Sequence, residues 1–162
     1  MSKISVFVSC PTILNEDQEK YNQMIDSLLD EFELERRALG RSDYALETPL
    51  KEIRNLASHC AGGIILGFEQ AYIEKGIKKR GTKDEKELKG SIPTEWNNLE
   101  AGILYAMDLP LLIIKEKEIS GGIFDYGSSE YFIHSFDSDV EIKQVFKRWV
   151  EKVHIKYDQN RY

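Results

Sequence analysis

Gly63-Ile64-Ile65-Leu66-Gly67 is an unbroken apolar run closed by glycine at both ends. It is too short for a core helix and shows no polar alternation. It therefore reads as a strand covered on both faces, the pattern of a parallel rather than an antiparallel sheet. Two further runs have the same character. Ile4-Ser5-Val6-Phe7-Val8 stops at the polar turn Ser9-Cys10-Pro11-Thr12, where Pro11 cannot continue a ladder, and Leu109-Pro110 leads into Leu111-Leu112-Ile113-Ile114.

Helical spacing fills the intervals. Asn15 is an N-cap with Gln18 three residues on, and Tyr21, Ile25, Leu28, Leu29 and Phe32 then fall on one face. Thr48-Pro49 places a cap before a proline at the first helical position, with Leu50, Ile53, Leu56, Ala57 and Cys60 following at helical spacing. A third helix is expected over 94–108. A last one starts near Asp137 or Ser138 and carries Ile142, Val145, Phe146, Trp149 and Val153. Residues 33–39 read as a weak edge strand, 40–47 as a loop, and 131–136 as a short final strand after the Gly-rich stretch 121–129.

Strands that alternate with helices, and that are too apolar to be half-exposed, predict an α/β fold with right-handed crossovers. Five strands fit a flavodoxin-like three-layer sandwich with a five-stranded parallel sheet in the order 2-1-3-4-5. No repeat or linker divides residues 1–162, so one domain is expected. Residues 69–93 interrupt the rhythm. They hold seven Lys or Arg against five Asp or Glu, a local +2 in a chain of net charge −6, which leaves −8 elsewhere. This stretch reads as a basic insertion, a solvated mobile loop.

Composition narrows the function classes. Hydrophobic residues at 41% and charged residues at 31% describe a globular chain, not a disordered one. The acidic balance argues against nucleic acid or an anionic membrane as partner. The two cysteines, Cys10 and Cys60, supply no disulfide framework, and His59, His134 and His154 show no metal-ligand spacing. No signal peptide or membrane span is visible, so a cytoplasmic protein is expected. There is no P-loop and no G-x-G-x-x-G, and neither a metal nor a cofactor is implied.

In parallel sheets of this order, ligands sit outside the carboxyl ends of the strands. That rule nominates Ser9, Cys10, Pro11 and Thr12 after the first strand, Gly67, Phe68, Glu69 and Gln70 at the end of the third, Lys115-Glu116 after the strand that follows the third helix, and Thr94 at the start of that helix. One residue on that helix does not fit its surroundings. At ~100° per residue, Glu100 lies roughly 40° from both Trp96 and Leu104, inside the apolar stripe. A carboxylate there is paired with a base such as Arg41 or Lys115, turned to solvent, or placed in a cleft with a raised pKa. The cleft reading makes Glu100 the catalytic candidate. Ser9 and Thr12 can offer hydroxyls to a ribose or phosphate, or simply form a turn. Trp96 can stack on a base or pack in the core. Arg41 and Tyr44 can close over the crevice. Cys10 has no histidine near it in sequence and reads as a small residue rather than a nucleophile.

Thr94-Glu95-Trp96-Asn97-Asn98-Leu99-Glu100, with Trp four residues before Glu, resembles the third-helix motif of Toll/interleukin-1 receptor (TIR) domains, and Phe7-Val8-Ser9 resembles their first strand. Glu100-Ala101-Gly102, Ala106 and the strand opened by Leu109-Pro110 resemble the related nucleoside 2-deoxyribosyltransferases. Those enzymes carry an Asp-x-Gly-Thr turn before the helix, where this chain has Ser91-Ile92-Pro93-Thr94 and lacks the acid. In both families the glutamate acts on an N-glycosidic bond at C1′ of the ribose, a role the resemblance assigns to Glu100. The TIR-like likeness implies NAD as substrate rather than cofactor, hydrolysed or cyclised to ADP-ribose-type products in antiviral defence. It also implies a homo-oligomer or a partner effector protein. The alternatives are a deoxyribosyltransferase-like nucleoside or nucleotide N-glycosidase, and a non-catalytic TIR interaction module.

Overall fold

The first apolar run forms β1 (Ile4–Ser9), and the chain turns at Pro11 into α1 (Glu16–Glu31). Asn15 caps that helix as its sequence requires: its side-chain oxygen accepts from the Gln18 N–H at 2.9 Å, and the Gln18 side chain accepts from the Asn15 N–H at 3.1 Å. A short strand β2 (Leu34–Arg37) buries only Leu34 fully, as suits a sheet edge. Then come α2 (Pro49–Ala57), β3 (Gly63–Gly67), β4 (Ala71–Lys78), β5 (Lys86–Ile92), α3 (Glu95–Ala106), β6 (Leu111–Lys115), a 3-10 turn (Gly122–Phe124), β7 (Phe132–Ser135) and α4 (Ile142–Gln159). The computed structural model describes residues 2–39, 49–126, 132–136 and 141–161. The proposed cap Thr48, the loop residues Arg41 and Tyr44, the glycine-rich stretch at 127–129, Tyr131 and the expected helix start at Asp137 or Ser138 lie outside them.

The main sheet runs β2-β1-β3-β6-β7, every pair parallel. This is the flavodoxin-like order expected from the sequence, with β6 and β7 as its fourth and fifth strands. All five residues of β3 and of β6 are buried, because helices cover both faces. On one face α1 and α4 pack through Ile25, Leu29, Phe146 and Trp149 onto Val6, Val8, Ile64 and Leu112. On the other, α2 and α3 pack through Ile53, Ala57, Ala101 and Leu104 onto Phe7, Ile65 and Ile113. The Trp149 indole N–H is satisfied by the Pro110 carbonyl at 2.9 Å. Gly63 allows α3 its close approach, since a Cβ there would meet Leu104 Cδ1 at 2.7 Å. No helix of the described residues is long and apolar enough to cross a membrane.

The insertion departs from expectation. Instead of an irregular loop, β4 and β5 pair as an antiparallel hairpin, from Ala71 opposite Ile92 to Lys78 opposite Lys86, with a register shift between Ile73 and Gly76. Its charge count concealed a strand pattern: Tyr72, Ile73 and Ile77 in one arm and Leu88 and Ile92 in the other interleave with Lys and Glu. Lys79 at φ 54° and Gly81 at φ 78° supply the left-handed residues that reverse the chain.

Candidate active site

β1 ends at Ser9, and the chain beyond it runs over the start of α3. Between them lies a crevice of about 370 Å³ at the carboxyl edge of the sheet. Of the residues nominated from the sequence, Ser9, Cys10, Pro11, Thr12, Gln70, Thr94, Trp96 and Glu100 line it. Sequence reasoning missed Ile13, Leu39, Pro49 and Ile53, which also line it. Pro49 and Ile53 arrive on α2, which packs beside β1, and Leu39 comes from the chain just after β2; no local pattern marks them.

Thr94 opens α3 as its N-cap, with its hydroxyl oxygen accepting from the Trp96 N–H at 3.4 Å. The helix is rotated from the expected stripe, and the residues it buries are Asn97, Ala101 and Leu104. Trp96 is therefore 44% exposed at the rim of the crevice rather than packed in the core. Glu100 stands at the edge of the buried face, half-buried. Burial pushes its carboxyl up to about 7, against the weaker opposing effect of the Ser9 hydroxyl on the same crevice wall. Lys115 does not neutralise it: its ammonium donates to the Ile119 carbonyl at 2.5 Å. The other suggested base, Arg41, is outside the described residues.

Phe68, Glu69 and Glu116, also nominated, face elsewhere. Phe68 is fully buried, stacked on Phe136 with ring centroids 5.3 Å apart, in the core under α1 and α4. The reason is strand parity. Ile64, Leu66 and Phe68 share one face, while Gly63, Ile65 and Gly67 face α3. Glu69 lines a separate hollow of about 300 Å³ with Glu116 and Tyr21. Its carboxylate accepts from the Ser91 hydroxyl, and its backbone N–H donates to Glu116 Oε1 at 2.8 Å.

Cys10 lines the crevice, its thiol 3.4 Å from the Pro11 carbonyl oxygen. Cys60 is buried, and burial raises its thiol to about 12, where it is no nucleophile at neutral pH. Among the described residues no cluster of His, Cys, Asp and Glu could hold a metal ion. Asn97, quoted above only as part of a motif, is fully buried, and its Nδ2 donates to Ser9 Oγ at 2.8 Å. Its spacing of three from Glu100 on a helix was the available signal.

No protein-family model and no curated protein matches the chain. Among solved structures, the chain is similar to a 2-desoxiribosyltransferase from Leishmania mexicana, with a TM-score of 0.53 and 13% identity over 91% of this chain and 97% of that one. At that identity the likeness concerns the fold.

Proposed function

We propose that the protein breaks the N-glycosidic bond of a nucleoside-type substrate, with Glu100 acting at C1′ of the sugar. The observation that carries this is a lone carboxylate, held half-buried beside the buried Ser9, in a crevice where the fold places ligands. The similar fold of a 2-desoxiribosyltransferase, named for transfer of a deoxyribosyl group, supports the same class of reaction.

In this reading the C1′–N bond breaks and its electron pair passes to the departing base. The ionised Glu100 carboxylate bonds to, or electrostatically shields, the oxocarbenium-like carbon left behind. Water or a second acceptor then takes the sugar, and Trp96 at the rim offers a face on which a base can stack.

Within that class we favour NAD, hydrolysed or cyclised to ADP-ribose-type products. Glu100 is the one carboxylate lining the crevice among the described residues, and the acid of the transferase turn is replaced at Ser91-Ile92-Pro93-Thr94. Nicotinamide, joined through a cationic ring nitrogen, leaves neutral on taking the bonding pair and needs no proton. Purines and pyrimidines need one, and so a second acid.

The test is to incubate the purified protein and its Glu100→Gln variant with NAD and with a panel of nucleosides, following free base by chromatography. Release of nicotinamide by the wild type, lost by about a thousandfold or more in the variant, is expected. Release from nucleosides alone would replace NAD by the transferase-like substrate class. No release from any substrate, or equal release by the variant, would overturn the proposal and favour a non-catalytic interaction module.

A further inference from the structure

We propose that two copies of this chain associate through the outward face of α3, with the basic β4–β5 hairpin of each laid against the acidic body of the other.

A helix lying on a sheet ordinarily turns charge to water. α1 and α4 do so, exposing Glu16, Asp17 and Lys20 on the first and Lys147, Arg148 and Glu151 on the second. α3 does not. From Trp96 to Ala106 its one charge is Glu100, which stands at the crevice, while Leu99, Gly102, Tyr105 and Ala106 are exposed. At ~100° per residue, Leu99, Gly102 and Ala106 form one stripe opposite the buried Asn97, Ala101 and Leu104, with Trp96 roughly 60° round toward the crevice. The helix is apolar on both faces, the pattern of one that is covered twice.

The stripe is suited to meeting a copy of itself. A Cβ on Gly102 would touch nothing within 4 Å inside the subunit, so no packing within the chain requires glycine at this helical position, where it costs stability relative to alanine. A two-fold axis at Gly102 lets two helix backbones approach closely. It sets Leu99 of one copy, three residues before, against Ala106 of the other, four residues after.

A 12-residue helix is ~18 Å long and ~10 Å across, too little by itself for the ~800 Å² per partner of a stable interface. The hairpin extends it. Its second strand leads directly into Thr94, the cap of α3, so its root adjoins the start of that helix. No residue of β4 or β5 is buried, and a two-stranded ribbon with no layer against it is marginal in water. Residues 75–86 hold six Lys or Arg against two acids, a local +4 that leaves −10 on the rest of the chain. Among the described residues, none of these cations pairs with a carboxylate. A second copy supplies the opposite charge, whereas nucleic acid would be repelled by the same −10. The eight residues of β4 span ~26 Å against the ~8–10 Å between packed helix axes, long enough to reach that copy.

The experiment is sedimentation equilibrium of the full chain from about 1 to 100 μM, at about 0.05 M and 0.5 M salt. Wild type should reach twice its 18.7 kDa in low salt, with the dissociation constant rising about tenfold in high salt. Leu99→Glu and Gly102→Glu each place a charge in the stripe and should raise that constant about a hundredfold or more. Arg80→Glu combined with Lys83→Glu should raise it about tenfold and remove its salt dependence. Gly102→Glu has open space inside the subunit, so a melting curve like that of wild type separates lost association from lost folding. A wild type that stays monomeric at the highest concentration, stripe variants that pair as tightly as wild type, or a hairpin variant with an unchanged constant would overturn the proposal. A monomeric wild type that retards a labelled single-stranded oligonucleotide assigns the hairpin to nucleic acid and overturns it as well.

Discussion

Replacing Glu100 with glutamine should make the protein more stable above neutral pH and leave it unchanged in acid. The folded state raises the Glu100 carboxyl from its ordinary 4.5 to about 7, chiefly by burial. The folded protein therefore binds this proton more tightly than the unfolded chain does. The stabilisation from holding it is fully present below pH 4.5 and is lost as pH rises through about 7. Each pH unit is worth roughly 1.4 kcal/mol, so ionising Glu100 costs the folded state at most about 3–4 kcal/mol. Because the group is only half-buried and local relaxation softens the penalty, about 1–3 kcal/mol is expected. Glutamine keeps the shape of the side chain but cannot ionise. For a chain of 162 residues, Glu100→Gln should melt about 2–9 °C above wild type at pH 8 and within a degree or so of it at pH 4.5. Differential scanning calorimetry of both proteins across that range measures the gap, and comparing the pair cancels the other titrating groups. A gap that is absent at pH 8, or that does not close in acid, would refute the raised carboxyl and the buried crevice it implies.

Phe68→Ala should destabilise the fold by about 3–5 kcal/mol, read by urea unfolding, because it removes a fully buried ring stacked on Phe136. The KM of the folded fraction should not change, since Phe68 does not line the crevice. Trp96→Ala should do the reverse, costing under about 1 kcal/mol of stability at its 44% exposed site while raising KM about tenfold through loss of base stacking. Asn15→Ala breaks the reciprocal cap of α1 and should cost about 1 kcal/mol, measured by the shift of the urea midpoint.

The sheet was legible because parallel strands announce themselves: residues 63–67 and 111–114 have no polar face to hide. Glu100 was legible for the converse reason, as a charge on a helix whose neighbours are apolar. The helix in fact turns Asn97 inward and Trp96 outward, since a buried asparagine is tolerated once Ser9 accepts its amide hydrogen. Apolar spacing alone carries no sign of such a partner. Phe68 could have been placed from the sequence by counting parity from Ile64, whereas the strand-end rule gives position along the strand and not face. The hairpin was hidden under its own charge, with Lys and Glu filling exposed positions between the partly buried Ile73, Leu88 and Ile92. Leu39, Pro49 and Ile53 reach the crevice only through packing between distant segments.

The most direct test of the account is the rate of base release at pH 8 by wild type and Glu100→Gln, measured on the same samples as their melting temperatures. The account predicts a variant that is the more stable protein and about a thousandfold or more slower. A variant that releases base as fast as wild type would contradict it.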